Sequence, residues 1–401
     1  MISGGVCAPK GFTAAGVHCG IRKNKTKKDL AVVLSEVPCS AAAVYTQNKV
    51  KGAPLTVTKR HIEDGIAQAV ICNSGNANTC NAGGEQVAEE MCALVAETFG
   101  VRAGDVIVAS TGVIGQPLDI TPIKAAMPKV KQSITGDGND AALAIMTTDT
   151  VIKQYAVEFT VGGRACRMGA MAKGSGMIHP NMATMLIFIT TDVKISSGML
   201  QKALSEDIVD TFNMISVDGD TSTNDMVSVM ANGMAENEEI TREGEDYSSF
   251  CKALNEITVH LCREIAKDGE GATKLLTCTV SGAKNKEAAR VAAKSVICSS
   301  LVKSAMFGSD ANWGRVLCAL GYSGADIDVT QTRVLFSSAA GEVLVCEEGA
   351  GVAFSEELAK KVLSEDEIVI DVSFRQGEGC ATAWGCDLTY DYVKINGDYR
   401  T

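Results

Sequence analysis

Short β-branched runs alternate with helix-period patterns from one end of this chain to the other. That alternation limits it to folds in which helices pack on sheets. Runs with the length and composition of strands lie at 69–72, 105–109, 155–161, 185–189, 276–280 and 367–372. Between them, apolar stripes recur at helical spacing. One carries Val87, Met91, Leu94 and Val95 and is closed by Gly100; a second carries Leu200, Leu204, Ile208 and Phe212. A third carries Tyr247, Phe250, Leu254, Ile257, Leu261 and Ile265 and stops near Gly269; a fourth, after a start at Glu287, lines up Val291, Ser295, Cys298 and Val302. The alternation is not strict enough for a purely parallel βαβ fold, so the chain reads as α/β of the mixed α+β kind, with mixed sheets. No linker or internal repeat marks a domain boundary, and 401 residues allow two or three domains or one large one.

With 46% apolar residues the chain can bury an ample core, which excludes disorder as its main state. A formal charge of −11, from 37 basic and 48 acidic residues, argues against nucleic acid as a partner. No apolar run approaches the ~18 residues of a membrane span. The start Met1-Ile2-Ser3-Gly4-Gly5 has neither the basic nor the apolar region of a signal peptide. A soluble, cytoplasmic protein is expected, without a membrane partner. The 15 cysteines form no C-x-x-C pair and often sit in apolar runs, as in Val70-Ile71-Cys72, so they read as buried, reduced thiols. His18, His61, His179 and His260 are too dispersed for a metal cluster, and no metal is expected.

The most unusual segment is Met171-Ala172-Lys173-Gly174-Ser175-Gly176-Met177-Ile178-His179-Pro180-Asn181-Met182-Ala183-Thr184, which runs straight into the strand at 185–189. It reads either as a loop ending on a buried strand or as a self-cleavage site. In the second reading the threonine hydroxyl attacks the carbonyl before it, and the new N-terminal threonine then carries a nucleophile beside an amine able to act as its base. An α-amino group titrates around pH 7.7–8.0, which suits that task.

A second segment, Ser110-Thr111-Gly112-Val113-Ile114-Gly115, follows a strand read as ending at Ala109. It is either an ordinary strand exit or a pair of donors for a developing oxyanion. Asn73-Ser74-Gly75-Asn76-Ala77-Asn78 reads as a turn that caps a helix. The run Asp218 to Asp225 lacks the glycine and glutamate of a calcium loop. In Asp268-Gly269-Glu270-Gly271-Ala272-Thr273 a carboxylate between glycines suits either a substrate amine or plain solvent. The stretch Gly169 to Ser175 does not make a Walker A loop, because its lysine precedes the second glycine.

Taken in order, these motifs resemble the bacterial ornithine acetyltransferases, also called glutamate N-acetyltransferases, of arginine biosynthesis. The resemblance covers nearly the whole chain. It rests on Ser74 to Asn78, Ser110 to Gly115, Met146-Thr147-Thr148-Asp149-Thr150, Lys173 to Ile178, Met182 to Leu186, Asp218 to Asp225, Asp268 to Lys274, Asp310-Ala311-Asn312-Trp313-Gly314-Arg315 and the terminal Ile395 to Thr401. It implies a four-layer α/β/β/α arrangement. It further implies cleavage between Ala183 and Thr184, giving an α chain of residues 1–183 and a β chain of residues 184–401 that assemble as an α2β2 heterotetramer.

On that resemblance Thr184 accepts acetyl from N-acetylornithine and passes it to glutamate, releasing ornithine and N-acetylglutamate. Thr111 and Gly112 form the oxyanion hole. Lys173, Thr184, Glu270, Asn396 and Thr401 contact substrate, together with a threonine of the 147–150 stretch, Thr147 in preference to Thr150. No cofactor is implied; whether acetyl-CoA also serves as donor is left open. Gly397 departs from the alanine more usual there. The rival readings are a self-processing N-terminal-nucleophile aminopeptidase or amidase, and a non-enzymatic amino-acid-binding protein that stays whole.

Overall fold

The computed structural model describes residues 1–179 and 185–398. Its backbone divides into two compact units. The first comprises Met1–Gly174, Asn181–Val209 and Thr221–Leu261; the second comprises Ser175–Pro180, Asp210–Asp220 and Cys262–Thr401.

The chain opens with β1 (Phe12–Val17) and β2 (Leu30–Tyr45), followed by α1 (Ala53–His61), β3 (Ile66–Asn76), α2 (Gly84–Phe99) and β4 (Val106–Val113). Next come α3 (Thr121–Gln132), α4 (Asn139–Ile145), the hairpin of β5 (Lys153–Val161) and β6 (Arg164–Lys173), then β7 (Leu186–Thr191) and α5 (Ser197–Asp207). The short β8 (Ile215–Ser216) belongs to the second unit, after which β9 (Met226–Ala231) and α6 (Glu245–Lys267) follow. The first sheet runs β4-β3-β2-β9-β7-β6-β5, with β1 alongside β2. Its β3–β4 and β7–β9 pairs are parallel and the rest antiparallel, so the sheet is mixed. β2 is long enough to hold β1 along its first half and β9 along its second.

Alternation along these strands builds two cores, as the two-residue side-chain period requires. Leu30, Val32, Ala69, Ile71, Val106 and Val108 face Met91, Cys92 and Val95 of α2 and Ile123, Met127 and Val130 of α3. Ala31, Val33, Val70, Cys72, Ile107 and Ala109 face the opposite way, onto Ala141, Ala142 and Ile145 of α4. A sheet covered on both faces needs apolar residues at every position, which is why these strands read as unbroken apolar runs. Each fully buried Val, Ile or Met contributes about 1.5–3 kcal/mol.

The second unit continues with β10 (Leu275–Ala283), α7 (Lys286–Cys298), α8 (Ser300–Phe307), α9 (Trp313–Gly321), β11 (Arg333–Ser338), β12 (Gly341–Glu347) and β13 (Ala350–Gly351). It ends with α10 (Glu356–Leu363), β14 (Glu367–Ser373), β15 (Gly379–Cys386) and α11 (Tyr390–Asp398). Its sheet, β13-β12-β11-β14-β10-β15-β8, is also mixed. Helix α7 lies on β10 and β15, where a side chain at Gly385 would come within 2.4 Å of Ile297.

The mixed α/β class and the strand-like runs hold, while several local readings are corrected. The stripe ending at Phe212 is not one helix. α5 ends at Asp207, and Thr211, at φ −121° and ψ −96°, breaks the helical path before a 3-10 turn buries Phe212. The fourth stripe is rotated and too long. α7 buries Ala288, Ala289, Ala292, Ala293, Val296 and Ile297, because small side chains let the helix approach the sheet closely, and leaves Val291, Ser295 and Cys298 half-buried. Val302 belongs to α8, because Ser299 adopts an extended conformation and caps that helix with its hydroxyl. The 73–78 stretch is largely strand, and β4 runs past Ala109 to Val113.

All the cysteines are free thiols, with eight buried and only Cys80, Cys318 and Cys380 exposed. Burial pushes the Cys72 and Cys39 thiols up to about 12. No helix among the described residues is long and apolar enough to cross a membrane.

Candidate active site

In the first unit the ends of two parallel strands are fixed by a buried polar network. β3 and β4 pair Asn73 with Ser110, Ser74 with Thr111 and Gly75 with Gly112, and the register then shifts at Asn76. Gly112 has φ +129° and Gly75 has φ +101°, a region that side chains disfavour. A Cβ on Gly112 would lie 2.4 Å from the carbonyl carbon of Gly75, so only glycine permits this approach. Thr111, 8% exposed, stands just before that turn.

Asparagine, serine and threonine side chains satisfy the polar groups that the irregular strand ends leave behind. The Ser110 hydroxyl donates to Asn73 Oδ1 at 2.6 Å, and Asn73 Nδ2 donates to the Asn76 carbonyl at 2.9 Å. Asn224 Nδ2 donates to the carbonyls of Ala77 at 2.6 Å and Ser110 at 2.9 Å. The Ser74 hydroxyl donates to the Ala144 carbonyl of α4 at 2.6 Å. A buried donor or acceptor left unmade costs about 1–3 kcal/mol, so the polar residues that look like a turn in the sequence stiffen a strand end. Arg22 packs over Gly75, and its guanidinium donates to the Met146 carbonyl.

Lys173 closes β6, paired with Leu186 of β7, and is buried among charges. Asp149 binds the Lys153 ammonium at 2.7 Å, both side chains being wholly buried, and accepts the N–H groups of Gly174 at 2.7 Å and Thr147 at 2.9 Å. Burial alone pushes the Asp149 carboxyl up. The charges of Lys173 and Lys153, with the hydrogen bonds from Lys153 and Gly174, outweigh it and bring the group from 3.8 down to about 2. At Asp225 burial wins over Lys173 and Ser222, and that carboxyl is pushed well up. Its Oδ2 has no hydrogen-bond partner among the described residues. The two buried carboxyls beside Lys173 are thus pushed in opposite directions, Asp149 down and Asp225 up.

Replacing Asp149 with alanine removes a buried ion-pair partner of Lys153, and a loss of about 3–5 kcal/mol in urea unfolding is expected. The sign of the pH dependence follows from the depressed pKa. The contribution is fully present above pH 3.8 and is lost as the pH falls through about 2. The stability gap between wild type and variant should therefore shrink over that range; equal midpoints at neutral pH would show that the pair contributes nothing.

The second unit brings Glu270 and Asn396 together. Asn396 Nδ2, on α11, donates to Glu270 Oε2 at 2.7 Å. The Glu270 N–H donates to the Ser175 carbonyl at 3.0 Å. A Cβ on Gly176 would meet the Glu270 carboxyl at 2.3 Å, which explains the glycine there. Thr147 is tied through its backbone to Asp149, whereas Thr150 is exposed. Ala183, Thr184 and Thr401 lie outside the described residues.

Sequence reasoning missed Arg22, Lys153 and the Asn73–Ser110–Asn224 network. Asp149 belongs to the Met146 to Thr150 motif, yet nothing in its spacing shows that it is buried. The 218–225 run holds no calcium-like arrangement, and no group of side chains among the described residues could hold a metal ion.

The ArgJ family model matches residues 13–401. An arginine biosynthesis bifunctional protein ArgJ from Caldanaerobacter subterraneus subsp. tengcongensis is 51% identical over 403 residues, covering 100% of both chains. The protein of the same name from Bacillus subtilis is 48% identical over 404 residues, covering 100% of this chain and 97% of its own. The crystal structure of arginine biosynthesis bifunctional protein argJ from Bacillus halodurans covers 53% of this chain and 98% of its own, at 48% identity and a TM-score of 0.51. Matches of this extent define an enzyme of amino-acid biosynthesis. The chain belongs to the ArgJ family, the ornithine acetyltransferases of arginine biosynthesis that its motifs resemble.

Proposed function

We propose that this chain cleaves itself between Ala183 and Thr184 and then carries acetyl from N-acetylornithine to glutamate on the Thr184 hydroxyl. The observation that carries the reading is the match to the ArgJ family over residues 13–401. In self-cleavage the Thr184 Oγ adds to the Ala183 carbonyl carbon and the C–N bond breaks. The hydroxyl proton passes to the freed amine, and water opens the resulting ester. In turnover that amine takes the hydroxyl proton while Oγ attacks the acetyl carbonyl, and ornithine leaves as the protonated amine. The glutamate amine then attacks the acetyl ester and returns a proton to Oγ.

Thr111 and Gly112 are assigned to the developing oxyanion. The close approach of Gly112 to Gly75 supports that role, since a fixed backbone costs no reorganisation at the moment of reaction. Lys173, buried at the end of β6, is assigned to a substrate carboxylate, a pairing that a buried ammonium favours. Glu270, with Asn396 beside it, is assigned to the amino-acid ammonium, together with the Thr401 carboxylate. The Thr147 link to Asp149 favours Thr147 over Thr150 as the threonine that meets substrate. The chains 1–183 and 184–401 assemble as α2β2 in the cytoplasm in this reading, with acetyl-CoA as a candidate second donor and no cofactor.

The test is transfer of labelled acetyl from N-acetylornithine to glutamate by the wild type. Hydrolysis of amino-acid amides without that transfer would favour the aminopeptidase reading. A charge-assisted hydrogen bond contributes about 1.5–3 kcal/mol. Glu270→Ala is therefore expected to lower kcat/KM by roughly 10-fold or more for both N-acetylornithine and glutamate. Unchanged kinetics for both substrates would remove Glu270 from the site.

A further inference from the structure

In the first unit α4 ends at Ile145, and Met146 turns the chain out of the helix with φ −63° and ψ 148°. The last carbonyls of a helix find no partner within it, and here two side chains from elsewhere in the same unit supply donors. The Ser74 hydroxyl of β3 donates to the Ala144 carbonyl, and the Arg22 guanidinium donates to the Met146 carbonyl. The next residue, Thr147, gives its N–H to Asp149. The stem of Arg22 meanwhile lies on β3, where a Cβ on Gly75 would come within 2.9 Å of Arg22 Cγ. Gly75 is also the residue that Gly112 approaches. One side chain therefore touches both the strand end that packs against Gly112 and the carbonyl that precedes Thr147.

The loop that carries Arg22 is built around one carboxylate. Asp29 is 0% exposed and accepts the N–H groups of Cys19 at 2.6 Å, Gly20 at 3.2 Å and Arg22 at 2.9 Å. Its own carbonyl accepts the Ser74 N–H at 2.9 Å, which ties the loop to β3 one residue before Gly75. Hydrogen bonds to an ionised acceptor are the stronger kind, so the Arg22 backbone is anchored to the strand end that its side chain covers. Lys23, Lys25 and Lys27 of the same loop are exposed, whereas Arg22 is half-buried.

We propose that Arg22 is a positioning residue for acetyl transfer, holding Thr147 through the Met146 carbonyl and backing the Thr111–Gly112 turn through Gly75. The inference rests on the roles proposed above for Thr111, Gly112 and Thr147, and adds the group that sets them relative to one another. Displacing a positioned group by about 1 Å costs a reaction about 100-fold. The two tasks fall to different parts of the side chain, so substitution separates them. Methionine keeps an unbranched stem over Gly75 and has no donor. Alanine removes stem and donor together. Lysine keeps the stem and a charge but replaces the planar fork with a single ammonium.

The test follows acetyl transfer from N-acetylornithine to glutamate by wild type, Arg22→Met, Arg22→Ala, Arg22→Lys and Lys25→Ala, each purified after cleavage is complete. Arg22→Met is expected to raise KM for N-acetylornithine about 10-fold with kcat within about threefold of wild type, since Thr147 meets bound substrate. Arg22→Ala should show the same rise and lower kcat by about a further 10-fold, since the oxyanion turn loses its backing. Arg22→Lys should recover part of the KM, Lys25→Ala should match wild type, and all thermal midpoints should stay near that of wild type. Arg22→Met kinetics indistinguishable from wild type overturn the proposal. So does the same defect in Lys25→Ala, which assigns the effect to the charge of the loop, or a collapse of the thermal midpoint, which assigns Arg22 to folding. Equal kinetics for Arg22→Met and Arg22→Ala overturn the link through Gly75. A wild type that transfers no acetyl overturns the acetyl-transfer reading itself, a result distinct from all of these.

Discussion

A chain with alanine at position 184 is expected to remain a single polypeptide of 401 residues and to transfer no measurable acetyl group. The hydroxyl is the only reacting group that the substitution removes, and both proposed events run through it. Self-cleavage needs the hydroxyl to form the ester, and turnover needs it to hold the acetyl group between half-reactions. Without cleavage the Thr184 nitrogen stays in a peptide bond and cannot serve as a base near neutral pH. Two losses should therefore appear together in one variant. Thr184→Ser, which keeps a hydroxyl, should retain some of each. Wild type should show two chains whose masses sum to one water above the precursor. A Thr184→Ala chain that still cleaves would place the nucleophile elsewhere.

The second large effect is expected at Thr111. Valine keeps the β-branched shape that suits β4 and deletes only the hydroxyl, so the strand pairing of Ser74 with Thr111 should survive. If that hydroxyl stabilises the oxyanion, its loss should lower kcat by about 10²–10³-fold. Donors aimed at a charge that exists only in the transition state do little for ground-state binding, so KM should move by no more than a few-fold. Since self-cleavage passes through the same kind of tetrahedral intermediate, the variant should also process slowly. A kcat within a few-fold of wild type, measured on fully cleaved chains, would take Thr111 out of the oxyanion hole.

Much of the fold was legible in the sequence because it rests on periodicity. Met91 and Val95 at helical spacing, with Gly100 after them, mark α2, and Gly100 indeed closes it at φ +77°. Ile368, Ile370 and Val372 alternate into the core of β14 as a half-covered strand should. The misread places are those where side-chain hydrogen bonds or small residues replace apolar bulk. Asn73, Ser74 and Gly75 have poor strand propensity, yet the asparagine, serine and threonine network of the first unit satisfies their neighbours and keeps the strand going. Helical spacing draws the α7 stripe through Val291 and Cys298, whereas alanines face the sheet, because closeness there matters more than apolar area.

Of the candidate site, the motifs named residues but not the charges between them. Lys153 looks like any surface lysine in the sequence, and only the fold encloses it with Asp149. Asp218 accepts the N–H groups of Met177 and Ile178, 40 or more residues away in the chain, a contact that spacing cannot reveal.

The central claim is that Thr184 carries the acetyl group between two amines. Its most direct test is the denatured intact mass of the β chain after incubation with N-acetylornithine in the absence of glutamate. The chain beginning at Thr184 should gain the mass of one acetyl group, lose it when glutamate is added, and yield N-acetylglutamate in equal amount. A β chain whose mass never changes, in enzyme that nevertheless moves acetyl from one amino acid to the other, would show direct transfer and contradict the threonine intermediate.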